Sequence, residues 1–253
     1  MDVLTALRAD SGVVCAVGAG GKKTTLYALA DRAADRRDGT LPVVTATVRI
    51  PIFDPQVDRV EVTEDPAAAV EAAASAGDTG PLGVVPEREG SDRYRGYDPS
   101  VVGEVADVDG VGPVLVKADG ARTRLFKAPG DREPQLPTCA DTVVPIASAR
   151  AVGKPLADDH VHRPERVAEL TGLRPGDRIR ADDVASVLAS RRGGLSGVPD
   201  GATPVPLVNM VDDESLRAVG EEIAAGVLDR TDAVSRVVLA RMNAPDPVVD
   251  VVE

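Results

Sequence analysis

The amino-acid sequence predicts an α/β protein in which a mostly parallel sheet is covered by helices. Short β-branched apolar runs alternate with alanine-rich segments that carry charges at helical spacing. The apolar runs are nearly continuous, which is typical of strands buried on both faces of a parallel sheet. A glycine-rich turn joins the first run to the first helical segment. These features predict a P-loop-like three-layer fold, and a length of 253 residues fits a single domain over residues 1–253.

The β-branched runs predict seven strands. They are Val13–Val17, Val43–Thr47, Leu82–Val85, Val114–Ala118, Thr142–Ile146, Val205–Val208 and Arg236–Ala240. Between them, helical periodicity predicts six helices, several of which begin at a proline. They are Thr24–Arg36, Pro66–Ala76, Pro99–Ala106, Pro164–Leu170, Ala181–Ser190 and Asp213–Asp229.

Three further stretches are predicted to be irregular. Glu87–Tyr97 and Ala121–Ala140 are rich in Arg, Gly and Pro and are too long for tight turns, and loops of that length are often functional. Arg191–Thr203 predicts a surface loop, with a flexible linker as the alternative.

Composition and charge exclude several classes of protein. The chain has 29 basic and 41 acidic residues and a formal net charge of −12, which argues against a general nucleic-acid binder. Two cysteines without CxxC spacing and two histidines support neither a disulfide scaffold nor a local zinc site. No apolar run approaches the roughly 20 residues of a membrane span, and the N-terminus carries acids, so we expect a cytoplasmic protein without membrane contacts.

Lysine is scarce beside arginine. The chain has five lysines, no Trp and two Phe. This composition and the acidic surface predict a halophilic, haloarchaeal protein, because concentrated salt screens the repulsion between surface charges. A GC-rich genome is the alternative. Against so few lysines, the adjacent pair Lys22 and Lys23 stands out.

The segment Val13–Leu26, VVCAVGAGGKKTTL, runs from an apolar strand through glycines into an amphipathic helix. Glycines let backbone N–H groups converge on an anion, and a helix N-terminus adds positive potential. The spacing departs from GxxxxGK[ST], since Ala16 stands at the first glycine and Lys23 at the Ser/Thr position. We predict a variant phosphate loop; a turn without ligand is the alternative. Its residues are Gly18, Ala19, Gly20, Gly21, Lys22, Lys23, Thr24 and Thr25.

Within this loop, either Lys22 or Lys23 is expected to contact phosphate. Thr24 or Thr25 is a candidate ligand for Mg²⁺, and Thr24 is the preferred one. We expect the loop to bind the phosphates of ATP or GTP.

A second motif, Val114–Arg122, is a buried-looking strand that ends in Asp119 and a glycine. Ligands of open α/β sheets lie outside the carboxyl ends of the strands, so Asp119 is a candidate magnesium ligand and catalytic residue. A simple Asp-Gly turn is the alternative.

A third motif places Asn209 and Asp212 at the end of another strand, in the order Asn-x-x-Asp. This resembles the guanine-reading motif of GTP-binding proteins, because a carboxylate accepts hydrogen bonds that guanine offers and adenine does not. Alternatively, Asp212 caps a helix that begins at Asp213.

Both histidines precede the helix that starts at Pro164, in the segment His160–Glu165. His162 is a candidate catalytic proton donor and Arg163 a candidate anion contact. A helix-capping loop with solvated charges is the alternative.

The chain contains, in this order, the segments VGAGGKKTT, VTATVRIP, KADGARTRLFKAP, EPQLP, GKPL, HVHRPE and GVPDGATPVPLVNMVDD. This ordered set resembles the YqeC-type family of selenium-dependent molybdenum hydroxylase accessory proteins, also called selenium cofactor biosynthesis proteins. The resemblance spans roughly residues 13–245. Three positions depart from the family pattern: Lys23 follows GAGGK, Phe126 stands in LFKAP where the family has another residue, and Lys117 stands where Glu is common.

The resemblance implies an NTP-binding protein that helps to mature a hydroxylase or its molybdopterin cofactor. It also implies that Lys127, Glu133, His162 and Arg163 belong to one cleft with Asp119. The order of phosphate loop, Asp119 and Asn-x-x-Asp favours a Mg²⁺-dependent NTPase that assists maturation. The alternative is a carrier that binds a phosphorylated pterin or docks on the hydroxylase without hydrolysis. A third possibility is a fold kept only for protein contacts.

Overall fold

The computed structural model describes residues 1–36 and 38–253. The helices, in chain order, are α1 (Val3–Ala6), α2 (Lys22–Asp35), α3 (Pro66–Ser75), α4 (Val101–Ala106), α5 (Pro164–Thr171), α6 (Ala181–Leu188) and α7 (Glu214–Leu228). The strands are β1 (Val13–Gly18), β2 (Leu41–Ala46), β3 (Ile50–Pro51), β4 (Arg59–Val62), β5 (Leu82–Val85), β6 (Arg88–Glu89), β7 (Arg93–Tyr94), β8 (Val111–Lys117), β9 (Phe126–Lys127), β10 (Thr142–Ser148), β11 (Val161–His162), β12 (Thr203–Pro204), β13 (Leu207–Asn209), β14 (Val237–Ala240) and β15 (Val248–Val252).

A ten-stranded sheet forms the centre of the protein, and its order is β15-β14-β13-β10-β1-β8-β2-β5-β4, with β12 paired to β10. Every pair in it is parallel except β14 with β15, which are antiparallel. The predicted α/β class with a mostly parallel, helix-covered sheet is therefore confirmed. A short parallel pair, β9–β11, and an antiparallel sheet, β3–β7–β6, lie outside it.

Successive residues of β1 pack on opposite faces of the sheet, because side chains alternate along a strand. Val14 and Ala16 lie in the hydrophobic cluster that contains the buried side of α2. Val13, Cys15 and Val17 belong to the cluster that contains buried residues of α3 and α4. A third cluster packs α5, α6 and α7 against β10, β13 and β14. Both faces of the central strands are thus covered, which explains their continuous apolar sequences.

The chain changes direction across the sheet between β1 and β10. The connection after β1 leads through α2 to β2 on one side, whereas the connection after β10 leads to β13 on the other side. Gly18 at the end of β1 pairs with Ile146 of β10 at this point. In open α/β sheets such a switch point is where ligands bind.

All seven predicted strands lie in the large sheet and all six predicted helices are present, with ends shifted by a few residues. The prediction that Glu87–Tyr97 lacks secondary structure was wrong, because it contains β6 and β7, which form a hairpin with β3 alongside. Ala121–Ala140 is irregular apart from β9, and Arg191–Thr203 is a loop up to β12. Two-residue strands are too short to produce a periodic pattern.

Among residues 1–36 and 38–253, no helix has both the length and the apolar character that crossing a bilayer requires.

Candidate functional site

The glycine turn after β1 packs directly on the backbone of β10. Gly18, Gly20 and Gly21 have φ angles of +88°, +93° and +128°, where side chains are disfavoured. A Cβ on Gly18 would lie 2.2 Å from the Ile146 carbonyl oxygen, and one on Gly20 would lie 2.7 Å from the Ser148 nitrogen. The glycines are therefore needed for close backbone approach, whatever the turn binds.

Three amides of the turn already have acceptors within the protein. The Gly18 N–H donates to Asp119 Oδ2 at 2.8 Å, the Ala19 N–H to the Ile146 carbonyl at 2.9 Å and the Gly20 N–H to the Arg124 carbonyl at 3.0 Å. These groups do not point at a vacant anion position, as they would in a preformed phosphate loop.

The next four amides, at the start of α2, are different. In the described part of the chain, no protein acceptor takes a hydrogen bond from the N–H groups of residues 21–24. Thr25 N–H and its hydroxyl both donate to the Gly21 carbonyl, so buried Thr25 stabilises the first turn of α2. The unpartnered amides carry the positive end of the helix dipole.

The two adjacent lysines have different environments. Lys22 is buried: its ammonium donates to the Gly18 carbonyl and forms an ion pair with Asp119 Oδ1 at 2.9 Å. Burial lowers the pKa of Lys22, and Asp119 opposes part of that shift. Lys23 and Thr24 instead line an open groove of about 430 Å³ beside α2, together with Tyr27 and Met242.

A chain of buried ion pairs continues from Asp119 into the irregular segment after β8. Lys127 lies 2.9 Å from Asp119 Oδ2 and 2.7 Å from Glu133 Oε2, and it also donates to the Gly120 carbonyl at 2.6 Å. Glu133 in turn accepts from Arg163 at 2.7 Å. Although burial opposes it, hydrogen bonding to Arg163 and Lys127 lowers the pKa of Glu133 to about 2, so this carboxylate is ionised at neutral pH.

Lys117, the last residue of β8, is a third buried lysine in the same cluster. Its side chain is 6% exposed and its ammonium donates to the Arg49 carbonyl at 2.8 Å. Burial, with the positive charges of Lys22 and Lys127, lowers the pKa of Lys117 to about 7.

The cluster contains more cationic than anionic side chains. Three of the five lysines in the sequence, together with one arginine, face two carboxylates. In a chain with a net charge of −12, this local excess is the reverse of the overall balance. Buried charge requires compensation, so the cluster favours an anionic ligand. We call Lys22, Lys117, Lys127, Asp119, Glu133 and Arg163 the lysine cluster.

His162 and Arg163 lie at the edge of the lysine cluster. Pairing of β9 with β11 aligns His162 with Lys127. Burial, together with the charges of Arg163 and Lys127, lowers the pKa of His162 to about 4. The imidazole is therefore neutral at pH 7. Arg163 has a φ of +62°, a strained conformation for a residue with a side chain.

Asn209 reaches the glycine turn from β13. Its Nδ2 donates to the Gly20 carbonyl at 2.9 Å, and its Oδ1 accepts from the Met242 amide at 3.1 Å. Asp212 forms an ion pair with Arg150 at 2.6 Å. The two side chains thus hold protein groups, and guanine recognition by them stays a prediction.

The alternative role for Asp212, as a helix cap, was wrong. Helix α7 begins at Glu214, and its cap is Asp213, whose Oδ1 accepts from the Leu216 amide at 2.9 Å. Position 213 has the extended backbone that a capping residue adopts.

The residues around Asp119 do not fit a resident magnesium ion. Asp119 Oδ1 faces Lys22, and Oδ2 faces Lys127 and the Gly18 amide. A divalent cation there would meet two ammonium groups, and the described residues contain no cluster of three acidic, histidine or cysteine ligands. The cavity that borders Asp119, Gly18 and Lys127 measures about 20 Å³, room for one water molecule.

The structure brings most of the predicted site residues together: the glycine turn, Lys22, Asp119, His162 and Arg163. Lys23 and Thr24 lie on the adjacent groove, whereas Asp212 is engaged with Arg150. Residue-based reasoning gave Lys117 no role. A lysine that ends a continuously apolar strand was the available signal, because lysine is rarely buried without a purpose.

Comparison with known proteins gives one family and one relative. The family model described as YqeC protein matches residues 14–165, more than half of the chain. A relative from Escherichia coli (strain K12), described as "Uncharacterized protein YqeC", is 27% identical over 202 residues, which are 78% of this chain and 75% of the relative. No solved structure gives a significant match. The matched residues 14–165 include the whole lysine cluster.

Proposed function

The chain belongs to the YqeC family, and we propose that it is an accessory protein that binds ATP or GTP and assists the maturation of a selenium-dependent molybdenum hydroxylase or its molybdopterin cofactor. The selenium-dependent role rests on the family resemblance. Nucleotide binding rests on the structure, and its main support is the excess of buried cationic groups at the switch point of the sheet.

The nucleotide phosphates are proposed to bind at the first turn of α2. The N–H groups of residues 21–24 have no acceptors in the described part of the chain. Lys23 and Thr24 line the groove of about 430 Å³ next to them, within the usual volume range of small-molecule sites. The helix dipole and Lys23 then attract the phosphate oxygens, and the groove accommodates the rest of the nucleotide.

In this proposal, the role of Lys22 and Asp119 is to maintain the shape of the glycine turn. Their ion pair and the Gly18–Asp119 hydrogen bond fix the glycine turn against the end of β8. His162 contributes a neutral imidazole beside Lys127 at the edge of the lysine cluster. Mg²⁺ would accompany the nucleotide as a counter-ion and would neutralise part of the phosphate charge.

Titration calorimetry with ATP and GTP in the presence of Mg²⁺ tests this proposal. The protein is purified in high salt, and binding and phosphate release are compared for the parent, Lys23→Ala and Lys154→Ala. Lys154 is an exposed lysine away from the lysine cluster and serves as the matched control. We expect Lys23→Ala to weaken binding and Lys154→Ala to leave it unchanged. Parent-like binding by the double variant Lys22→Ala/Lys23→Ala would refute the phosphate role.

One observation favours a second function, that of a carrier which binds a phosphorylated pterin without hydrolysis. Both oxygens of Asp119 and the ammonium of Lys22 are engaged within the protein, so neither is available to act on a transferred phosphoryl group. A phosphorylated pterin that raises the unfolding temperature, with no measurable phosphate release from ATP or GTP, would support the carrier. Phosphate release that depends on the protein would support the NTPase.

A further inference from the structure

The three buried lysines differ in how many acceptors they have. An ammonium group has three N–H donors and no acceptor. Lys127 has three oxygen partners: the Gly120 carbonyl, Glu133 Oε2 and Asp119 Oδ2. Lys22 has two, the Gly18 carbonyl and Asp119 Oδ1. At least one of these partners is a carboxylate for each of the two lysines, so their charges are compensated within the protein.

Lys117 has one acceptor, the Arg49 carbonyl at 2.8 Å. Within residues 1–36 and 38–253, no carboxylate oxygen lies within 4.0 Å of the Lys117 ammonium, the distance limit for an ion pair. Its side chain is nevertheless 94% buried, since 6% remains exposed. A buried ammonium group with two unused donors and no carboxylate in contact is costly, because it has lost its water without gaining a counter-charge.

The surroundings of Lys117 do not supply that counter-charge. The ammonium groups of Lys22 from α2 and Lys127 from β9 repel the positive charge of Lys117. The carboxylates of Asp119 and Glu133 lie beyond ion-pair distance of Lys117 and are already paired with those two lysines. The strands on either side place Ala16 of β1 and Ala46 of β2 beside it in register. The position at the carboxyl end of β8 is where ligands of this sheet architecture bind.

We propose that Lys117 is an anion-binding residue of this protein, which donates to an oxygen of the ligand's phosphate group. The inference rests on the proposed function and makes it more specific: of the three buried lysines, Lys117 has the most donors without an acceptor in the described part of the chain, while Lys22 and Lys127 hold the site together. The ligand class is a phosphate or polyphosphate anion, free or as part of a nucleotide.

The test compares three proteins: the parent, Lys117→Met and the exposed control Lys154→Met. Methionine keeps the length of the lysine stem and removes the charge. Binding of inorganic tripolyphosphate and of ATP is measured by titration calorimetry, and the unfolding temperature of each ligand-free protein is measured by circular dichroism. The two probes distinguish recognition of phosphate alone from recognition of the whole nucleotide.

We expect Lys117→Met to weaken binding of both probes by about tenfold or more, the size of a lost hydrogen bond to a charged group. We also expect it to raise the unfolding temperature of the ligand-free protein, because a poorly compensated buried charge is removed. Lys154→Met should change neither quantity.

Two results overturn the inference, and they can be told apart. If the parent binds either probe and Lys117→Met binds it within twofold of the parent, the role of Lys117 fails and the proposed function stands. If the parent binds neither tripolyphosphate nor ATP, the proposed nucleotide binding fails and the inference fails with it.

Discussion

The ammonium of Lys22 and the carboxylate of Asp119 form an ion pair of 2.9 Å in which the side chains are only 5% and 2% exposed. The pair joins the first residue of α2 to the end of β8, and therefore connects the glycine turn to the segment that carries Lys127. Since water hardly reaches either group, each charge depends on its protein partners for compensation.

Asp119→Asn should destabilise the protein by about 3–5 kcal/mol, because two buried ammonium groups lose their shared carboxylate. Urea unfolding followed by circular dichroism measures the change. Asp159→Asn, at an exposed position, is the control and should have little effect. A loss of less than 1 kcal/mol in Asp119→Asn would show that the ion pairs contribute little. The double variant Lys22→Met/Asp119→Leu should recover part of the lost stability, because it removes both buried charges.

Gly18→Ala should cost far more stability than Gly39→Ala. Both glycines have similar φ angles, +88° and +85°, so both variants incur the same backbone strain of about 1–2 kcal/mol. Only at Gly18 does the new Cβ also clash, at 2.2 Å from the Ile146 carbonyl oxygen, whereas nothing lies within 4 Å at Gly39. The difference between the two free energies of unfolding measures the close approach of β1 and β10. Equal losses would contradict this packing.

The imidazole of His162 should titrate near pH 4 in the folded protein. Its pKa is lowered from 6.5 to about 4, so the unfolded chain takes up this proton first as the pH falls. The contribution of His162 to stability is therefore full above about pH 6.5 and declines as the pH falls towards 4. NMR titration of the ring protons checks the value, with His162→Gln to assign the signal. A midpoint near 6.5 would mean that the ring is not desolvated.

Asn209→Ala should destabilise the protein by about 1–3 kcal/mol, because the Met242 amide and the Gly20 carbonyl each lose a buried partner. If Asn209 serves only to hold the glycine turn, the ratio of ATP to GTP affinity should be the same as in the parent. Both affinities can be measured by calorimetry on the same samples. A change in that ratio would instead support guanine recognition by the Asn-x-x-Asp motif.

Much of the architecture could be predicted from the sequence, because the strands of a two-sided sheet are continuously apolar. Val114–Ala118 and Leu82–Val85 are examples, each found within about three residues of its predicted ends. The strand Val248–Val252 was not predicted; it lies at the edge of the sheet and is only partly buried. The pairs Arg88–Glu89 and Arg93–Tyr94, which form a hairpin with each other, were also missed, since two residues are too few to produce an alternating pattern.

The sequence was sufficient to predict which residues come together at the site, but not which atoms each of them contacts. The rule for open α/β sheets placed the glycine turn and Asp119 at one edge of the sheet, and the family resemblance added His162 to it. The distinct roles of Lys22 and Lys23 depend on which side of α2 each faces, and adjacent lysines give no such information. The acceptors of the turn amides, such as the Arg124 carbonyl, are backbone groups and leave no trace in side-chain identity.

The central position of β1, between β8 and β10, has a consequence for how the protein is made. β1 is synthesised before both of its neighbours and before Asp119, the carboxylate partner of Lys22. Contacts so distant in sequence slow folding, because a long loop must close before they form. The nascent chain therefore holds an apolar strand without its neighbours until β8 and β10 have been made, which makes this a protein expected to benefit from a chaperone during synthesis.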